Sequence, residues 1–254
     1  MPTRSVKPAR SVAAARLHPF EIRRQPDDTT CGPTCLHAIY RHYGDGGSLS
    51  KIAARVPTLP DGGTLGVLLA TDALERGYRA TIVTWNLRVF DPTWFDADAA
   101  PLRDNLLRRA EARRDDKKLH DAALAYADFV ERGGQVELRD LTPRLLSRTL
   151  RRGVPILTGL SATFLYREAR QRPSDDVSDD VAGDPVGHFV VLTGYEPRRR
   201  EVLVTDPMHP NPLSKIHTYP LSIDRVVGAI LLGVLTYDAN LILIEPGESA
   251  GGER

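Results

Sequence analysis

Cysteine is scarce in this sequence: 254 residues carry two, Cys31 and Cys35. Two thiols in so long a chain make no disulfide framework, so an apolar core must hold the fold, and a reducing compartment is expected. Long apolar stretches are missing too. The longest run, VVGAILLGVL at 226–235, is about half of what a membrane span needs. Net charge is also lacking, since 34 Lys and Arg face 33 Asp and Glu. No overall field recruits nucleic acid or a membrane surface. The opening MPTRSVKPARSVAAARLHPF has arginines but no apolar h-region, so it does not read as a secretory signal. A cytoplasmic protein is the expectation. What remains, 41% hydrophobic and 26% charged residues, is ordinary globular composition.

No internal repeat or long linker divides the chain. Residues 1–20 read as a flexible arm, 21–246 as one domain and 247–254 as a flexible tail. A helix is predicted from Cys31 to about Tyr43, with Pro33 suited to its first turn and GDGG at 44–47 stopping it. Two more follow, in SLSKIAARV and at 66–76, the latter ended by Gly77. RATIVTW at 79–85 reads as a strand. Residues 101–131 read as two helices, a helical insertion around 100–131, and TPRLLSRTLRR as another helix opened by Thr142 and Pro143. VPILTGL at 154–160 is a buried-strand candidate, and the acidic stretch 174–184 lies in an exposed loop, read either as a lid or as a surface insertion. GHFVVLTGY at 187–195 and EVLVTDP at 201–207 read as a β-hairpin, SIDRVVGAILL as a helix opened by Ser222, and LILIEP as a last strand. Helices lead and strands follow, the α+β signature.

The two cysteines stand in QPDDTTCGPTCL, residues 25–36. CGPTC is one residue longer than a CxxC redox motif and does not follow a strand-like segment. A zinc site would need two more local ligands, and His37 and His42 fall on other helix faces from Cys31. The third reading puts Cys31 at a helix N-terminus, where unpaired N–H groups and the dipole favour thiolate and make a nucleophile. Cys35, one turn further in, then reads as a small buried hydrophobe. On this segment alone, nucleophile and structural thiol are level readings for Cys31.

A thiolate mechanism needs a base and a group to orient it. His188 opens the strand GHFVVLTGY, and Asp206 ends its partner EVLVTDP. In an antiparallel hairpin the start of one strand lies beside the end of the next, so the two are expected neighbours. Gln25, six residues before Cys31, could donate to an oxyanion together with the Cys31 N–H. Trp85 and Trp94 read as packing of a long loop or as groove lining, and His209 and His217 sit in a Pro-rich loop after Asp206.

Taken together, Gln25, Cys31-Gly32, the strand from Gly187-His188, and Val204-Thr205-Asp206-Pro207 resemble the motifs of C39-type cysteine peptidases of the papain-like fold. The resemblance implies an α+β domain whose nucleophile helix packs on a C-terminal antiparallel sheet. It implies the order Gln25, Cys31, His188, Asp206, with the glutamine in the oxyanion hole, a peptide or amide substrate, and no metal or organic cofactor. The sequence has neither a membrane-length apolar run nor a G-x-x-x-x-G-K-[ST] phosphate loop, so a free-standing, soluble relative is expected rather than one fused to a transporter. An acyl or peptidyl transferase with the same triad, and an inactive peptide-binding module of the same fold, are the alternative readings.

Overall fold

A computed structural model describes residues 20–59 and 62–247. The expected arm and tail fall, apart from Phe20 and Gly247, outside the described residues. Phe20 itself packs against the core, its ring 5.4 Å from that of His42.

The front half supplies helices α1 (Cys31–His42), α2 (Leu49–Arg55) and α3 (Gly66–Glu75), strand β1 (Tyr78–Thr84), helices α4 (Leu102–Ala112) and α5 (Lys117–Glu131), and the short strand β2 (Gln135–Glu137). The back half supplies α6 (Pro143–Arg151), β3 (Ile156–Ser161), α7 (Ala162–Tyr166), β4 (Gly187–Glu196), β5 (Glu201–Thr205), β6 (Thr218–Ser222), α8 (Ile223–Leu232) and β7 (Asn240–Pro246). Local chemistry explains most boundaries. Ser48, Asp116 and Thr142 accept the N–H three residues on at the starts of α2, α5 and α6, satisfying donors a helix cannot pair internally. Gly44, Gly77 and Gly153, all at positive φ, follow α1, α3 and α6. Ser222 stands at the start of α8 as expected, but its side chain caps nothing.

The seven strands form one sheet in the order β2-β1-β7-β3-β4-β5-β6. It is antiparallel except for β2, which runs parallel to β1. The alternation of a strand sends successive side chains to opposite faces. In β4, Phe189 and Val191 join one core with α1, α3 and α5, whereas Val190 and Leu192 join a second core with α6, α7 and α8. The α+β layering expected from the sequence is therefore present, and α1 packs directly on β4. Helix α5 of the helical middle region packs on both α4 and α3. Among the described residues no helix is long and apolar enough to cross a membrane.

Candidate active site

The site forms where the two cores meet at the end of the sheet. Cys31 belongs to the first core, Tyr166 and Tyr219 to the second. Cys31 is the first residue of α1 and is 8% exposed, at the wall of an open groove. Gly32 lets this helix end approach the sheet: a Cβ there would lie 2.9 Å from Thr64 Cγ2 and 3.3 Å from Phe189 Cδ2. Cys35 is fully buried, its thiol donating to Phe189 O at 3.3 Å. Burial pushes its pKa well up, with the nearby Cys31 and Asp206 charges adding to the effect. Both cysteines are free.

His188 and Asp206 meet as the hairpin connectivity predicted. His188 Nε2 lies 2.9 Å from Asp206 Oδ1. The Cys31 sulfur stands close enough to the same imidazole to help raise its pKa, and with Nε2 given to Asp206 the ring nitrogen left for sulfur is Nδ1. Burial alone would lower the His188 pKa, but the Asp206 hydrogen bond and charge, followed by those of Cys31, raise it to about 10.

Asp206 is fully buried and saturated with donors. Its Oδ1 also accepts the Met208 N–H at 2.9 Å, and its Oδ2 accepts the hydroxyls of Tyr166 at 2.7 Å and Tyr219 at 2.6 Å. Burial opposes its negative charge, yet His188 and then the two tyrosines hold its pKa below the ordinary value. Sequence reasoning missed both tyrosines. Tyr166 lies in an apolar run, TGLSATFLY, and Tyr219 follows a Pro-rich loop.

Gln25 is tied to this end of the sheet through its backbone, whose N–H donates to Pro207 O at 2.9 Å. Its side-chain nitrogen donates to Asp27 O at 2.9 Å, its buried oxygen has no partner, and it does not line the groove that holds Cys31 and His188.

Other sequence candidates fall elsewhere. Trp94 packs on the first core, and Trp85 donates to Arg139 O, so neither lines the groove. His37 is buried in α1, its pKa lowered by burial and then by Arg23 and Arg41. His217 Nδ1 donates to Asp206 O at 2.7 Å, and its ring lies tilted against that of His209, the centroids 4.5 Å apart. The acidic loop is folded on itself: Gln171 bridges to Ser178 and Asp184, and Arg172 pairs with Asp175 at 2.7 Å. Arg172, Asp176 and Asp184 form part of the groove wall. Among the described residues, no group of three or more His, Cys, Asp or Glu side chains is placed to hold a metal.

Comparison with known proteins meets the resemblance read from the sequence. The model of the Peptidase_C39 like family matches residues 120–227, a stretch that includes His188 and Asp206 and stops short of Gln25 and Cys31. Among solved structures, the chain is similar to the peptidase domain of Streptococcus ComA, a bifunctional ABC transporter of a quorum-sensing pathway. That match has 14% identity and a TM-score of 0.41, covering 90% of this chain and 99% of the other. It is similar to a C39-like peptidase from Bacillus anthracis, with 13% identity, a TM-score of 0.48, and coverage of 90% and 96%. A double glycine motif protease from an AMS/PCAT transporter, solved in complex with a leader peptide, matches at 10% identity and a TM-score of 0.43, covering 91% of this chain and 94% of that one. No curated protein matches.

Proposed function

We propose that the protein is a cysteine-dependent peptidase or amide hydrolase. The observation that carries this reading is a buried imidazole held by Asp206 at 2.9 Å, on the same groove as Cys31, which stands at a helix N-terminus and acts on the ring's pKa. A structural thiol needs no such partner. The four donors on Asp206 keep it charged and fixed, as an orienting carboxylate must be.

In the proposed reaction His188 holds the proton of Cys31, and the sulfur attacks the carbonyl carbon of a peptide or amide. The carbonyl oxygen takes up the negative charge, beside the Cys31 N–H that the helix leaves unpaired. Gln25, which lies off the groove wall with its Nε2 on Asp27 O, serves as the second donor only if its amide turns toward the groove when substrate binds. The C–N bond then breaks and His188 gives its proton to the leaving amine. Water enters, loses a proton to His188 and opens the thioester, releasing the acid and restoring the thiol. Asp206 stays ionised throughout.

The test is cleavage of a peptide library by the protein and by Cys31→Ala and His188→Ala, with folding checked by circular dichroism. Turnover lost in both folded variants is the expected outcome. Turnover that survives Cys31→Ala refutes the nucleophile assignment.

A further inference from the structure

The groove that holds Cys31 and His188 also reaches a second buried carboxylate, Asp238. Asp238 is 4% exposed and makes no contact with the hydrogen bonds around Asp206. Carboxylates are almost never buried this deeply without a cation or strong donors. The donors here are weak: Gly66 N–H at 3.3 Å and Asn240 Nδ2 at 3.5 Å, both on Oδ1. The Gly66 bond caps the first N–H of α3, a task that engages one oxygen and needs no charge. Oδ2 accepts from none of the described residues. Burial pushes the carboxyl up to about 7, against Gly66, Asn240 and the charge of Lys118, which lines the same groove.

The fold distorts itself to keep this residue in place. Tyr237 and Ala239, on either side of Asp238, hold φ of 68° and 61°, a left-handed conformation that residues other than glycine avoid. Behind it stands Gly159, where a Cβ would lie 2.5 Å from Asp238 Cγ. Strain on both flanks of a buried acid, beside a groove, marks a site better than it marks packing. The groove wall agrees in sign. Asp28, Asp176, Asp184 and Asp238 outnumber Lys118, Arg172 and the raised His188 on it, and Arg172 is already paired with Asp175. Such a wall draws cations inward.

We propose that Asp238 sets the specificity of this groove by receiving, on Oδ2, the guanidinium or ammonium of a basic residue of a peptide substrate. The proposal rests on the reading above only in taking this groove as the one that binds substrate. A basic side chain would supply a direct partner for the Asp238 oxygen that Gly66 and Asn240 leave open, where Lys118 acts only through its charge. A neutral or acidic side chain at the same place leaves the carboxylate unpaired, which discriminates strongly in a desolvated site.

The test measures binding apart from catalysis. Fluorescein-labelled hexapeptides, with arginine, norleucine or glutamate placed at each position in turn, are titrated by anisotropy against the Cys31→Ala chain. At one position arginine should bind at least tenfold tighter than norleucine, with glutamate weakest, and Asp238→Asn should abolish that preference. Equal binding of the three series, no binding at all, or a preference unchanged in Asp238→Asn overturns the proposal. The arginine preference is read with Asp238 intact, so it remains decisive even where Asp238→Asn does not fold. A chain that binds arginine peptides but cleaves none would sink the hydrolase reading and leave this one standing. Cleavage without arginine preference would do the reverse.

Discussion

His188 Nε2 stands 2.9 Å from Asp206 Oδ1; Asp206 is fully buried and His188 is buried but for its edge on the groove. Asp206 is the chief group holding the His188 pKa up near 10 against burial. Asp206→Asn removes that charge while keeping the shape. We expect kcat/KM to fall by about a hundredfold or more and the alkaline limb of the pH–rate profile to move down from near 10. A limb that stays in place would show that His188 is not the titrating group.

Tyr166 and Tyr219 both donate to Asp206 Oδ2. Replacing either by Phe leaves the other donor but weakens the hold on a buried charge, at a cost of about 1–3 kcal/mol. Either variant should also raise the Asp206 pKa, since both hydroxyls help to lower it. Urea unfolding at pH 7 and the acid limb of the rate profile measure the two effects. A double variant that costs much more than the sum of the singles would show that the tyrosines back each other up.

The two cysteines should separate cleanly. Iodoacetamide at low pH is expected to modify Cys31, on the groove wall, and to spare Cys35, which is buried and bonded to Phe189 O. Peptide mapping reads the outcome, and His188→Ala should slow the Cys31 reaction. Cys35→Ala should keep turnover and lose about 1–2 kcal/mol of stability. Equal, slow labelling of both thiols contradicts the separation.

Gly32→Ala should destabilise the fold and misplace Cys31. The added methyl would meet Thr64 Cγ2 at 2.9 Å, Leu69 Cδ1 at 3.0 Å and Phe189 Cδ2 at 3.3 Å. Overpacking of this kind costs about 1–3 kcal/mol. A variant with the parent's urea midpoint would mean that the helix end can retreat from the sheet at no cost.

Stability should peak at mildly acid pH. His188 rises from 6.5 to about 10 on folding, so its contribution is complete below pH 6.5 and is lost as pH climbs through 10. Asp238 rises from 3.8 to about 7, so its contribution is complete below pH 3.8 and is lost as pH climbs through 7. Asp206 is lowered from 3.8, so its contribution holds above pH 3.8 and fails as acid protonates it. Urea midpoints from pH 3 to pH 10 check the curve, and a midpoint flat from pH 5 to pH 9 contradicts it.

How far the sequence could be read depended on whether the signal was local. The helix at Cys31 was legible from its glycine stop, and the meeting of His188 with Asp206 from hairpin connectivity alone. Strand β6 was not, because Pro220 lies inside it; a proline argues against a strand unless the strand is at an edge, as β6 is. With β6 hidden, Tyr219 had no address. Helix α7 is five residues long, too short to show a period, so Tyr166 was hidden too. Asp238 gave no warning either: its flanking residues take left-handed φ without a glycine to announce it. The acidic loop looked like a lid or an insertion, yet backbone bridges at Gln171 fold it into the groove wall.

Strand β7 is the last in sequence among the described strands but lies in the middle of the sheet, bonded to β1 on one side and β3 on the other. During synthesis the rest of the sheet emerges as two pieces, β2-β1 and β3-β4-β5-β6, each with an edge awaiting the same late segment. Helix α1 with Cys31 and strand β4 with His188 are both made before that seam can be closed. A chain that stops short of residues 240–246 thus has Cys31, His188 and Asp206 but lacks the strand that joins the two pieces of the sheet.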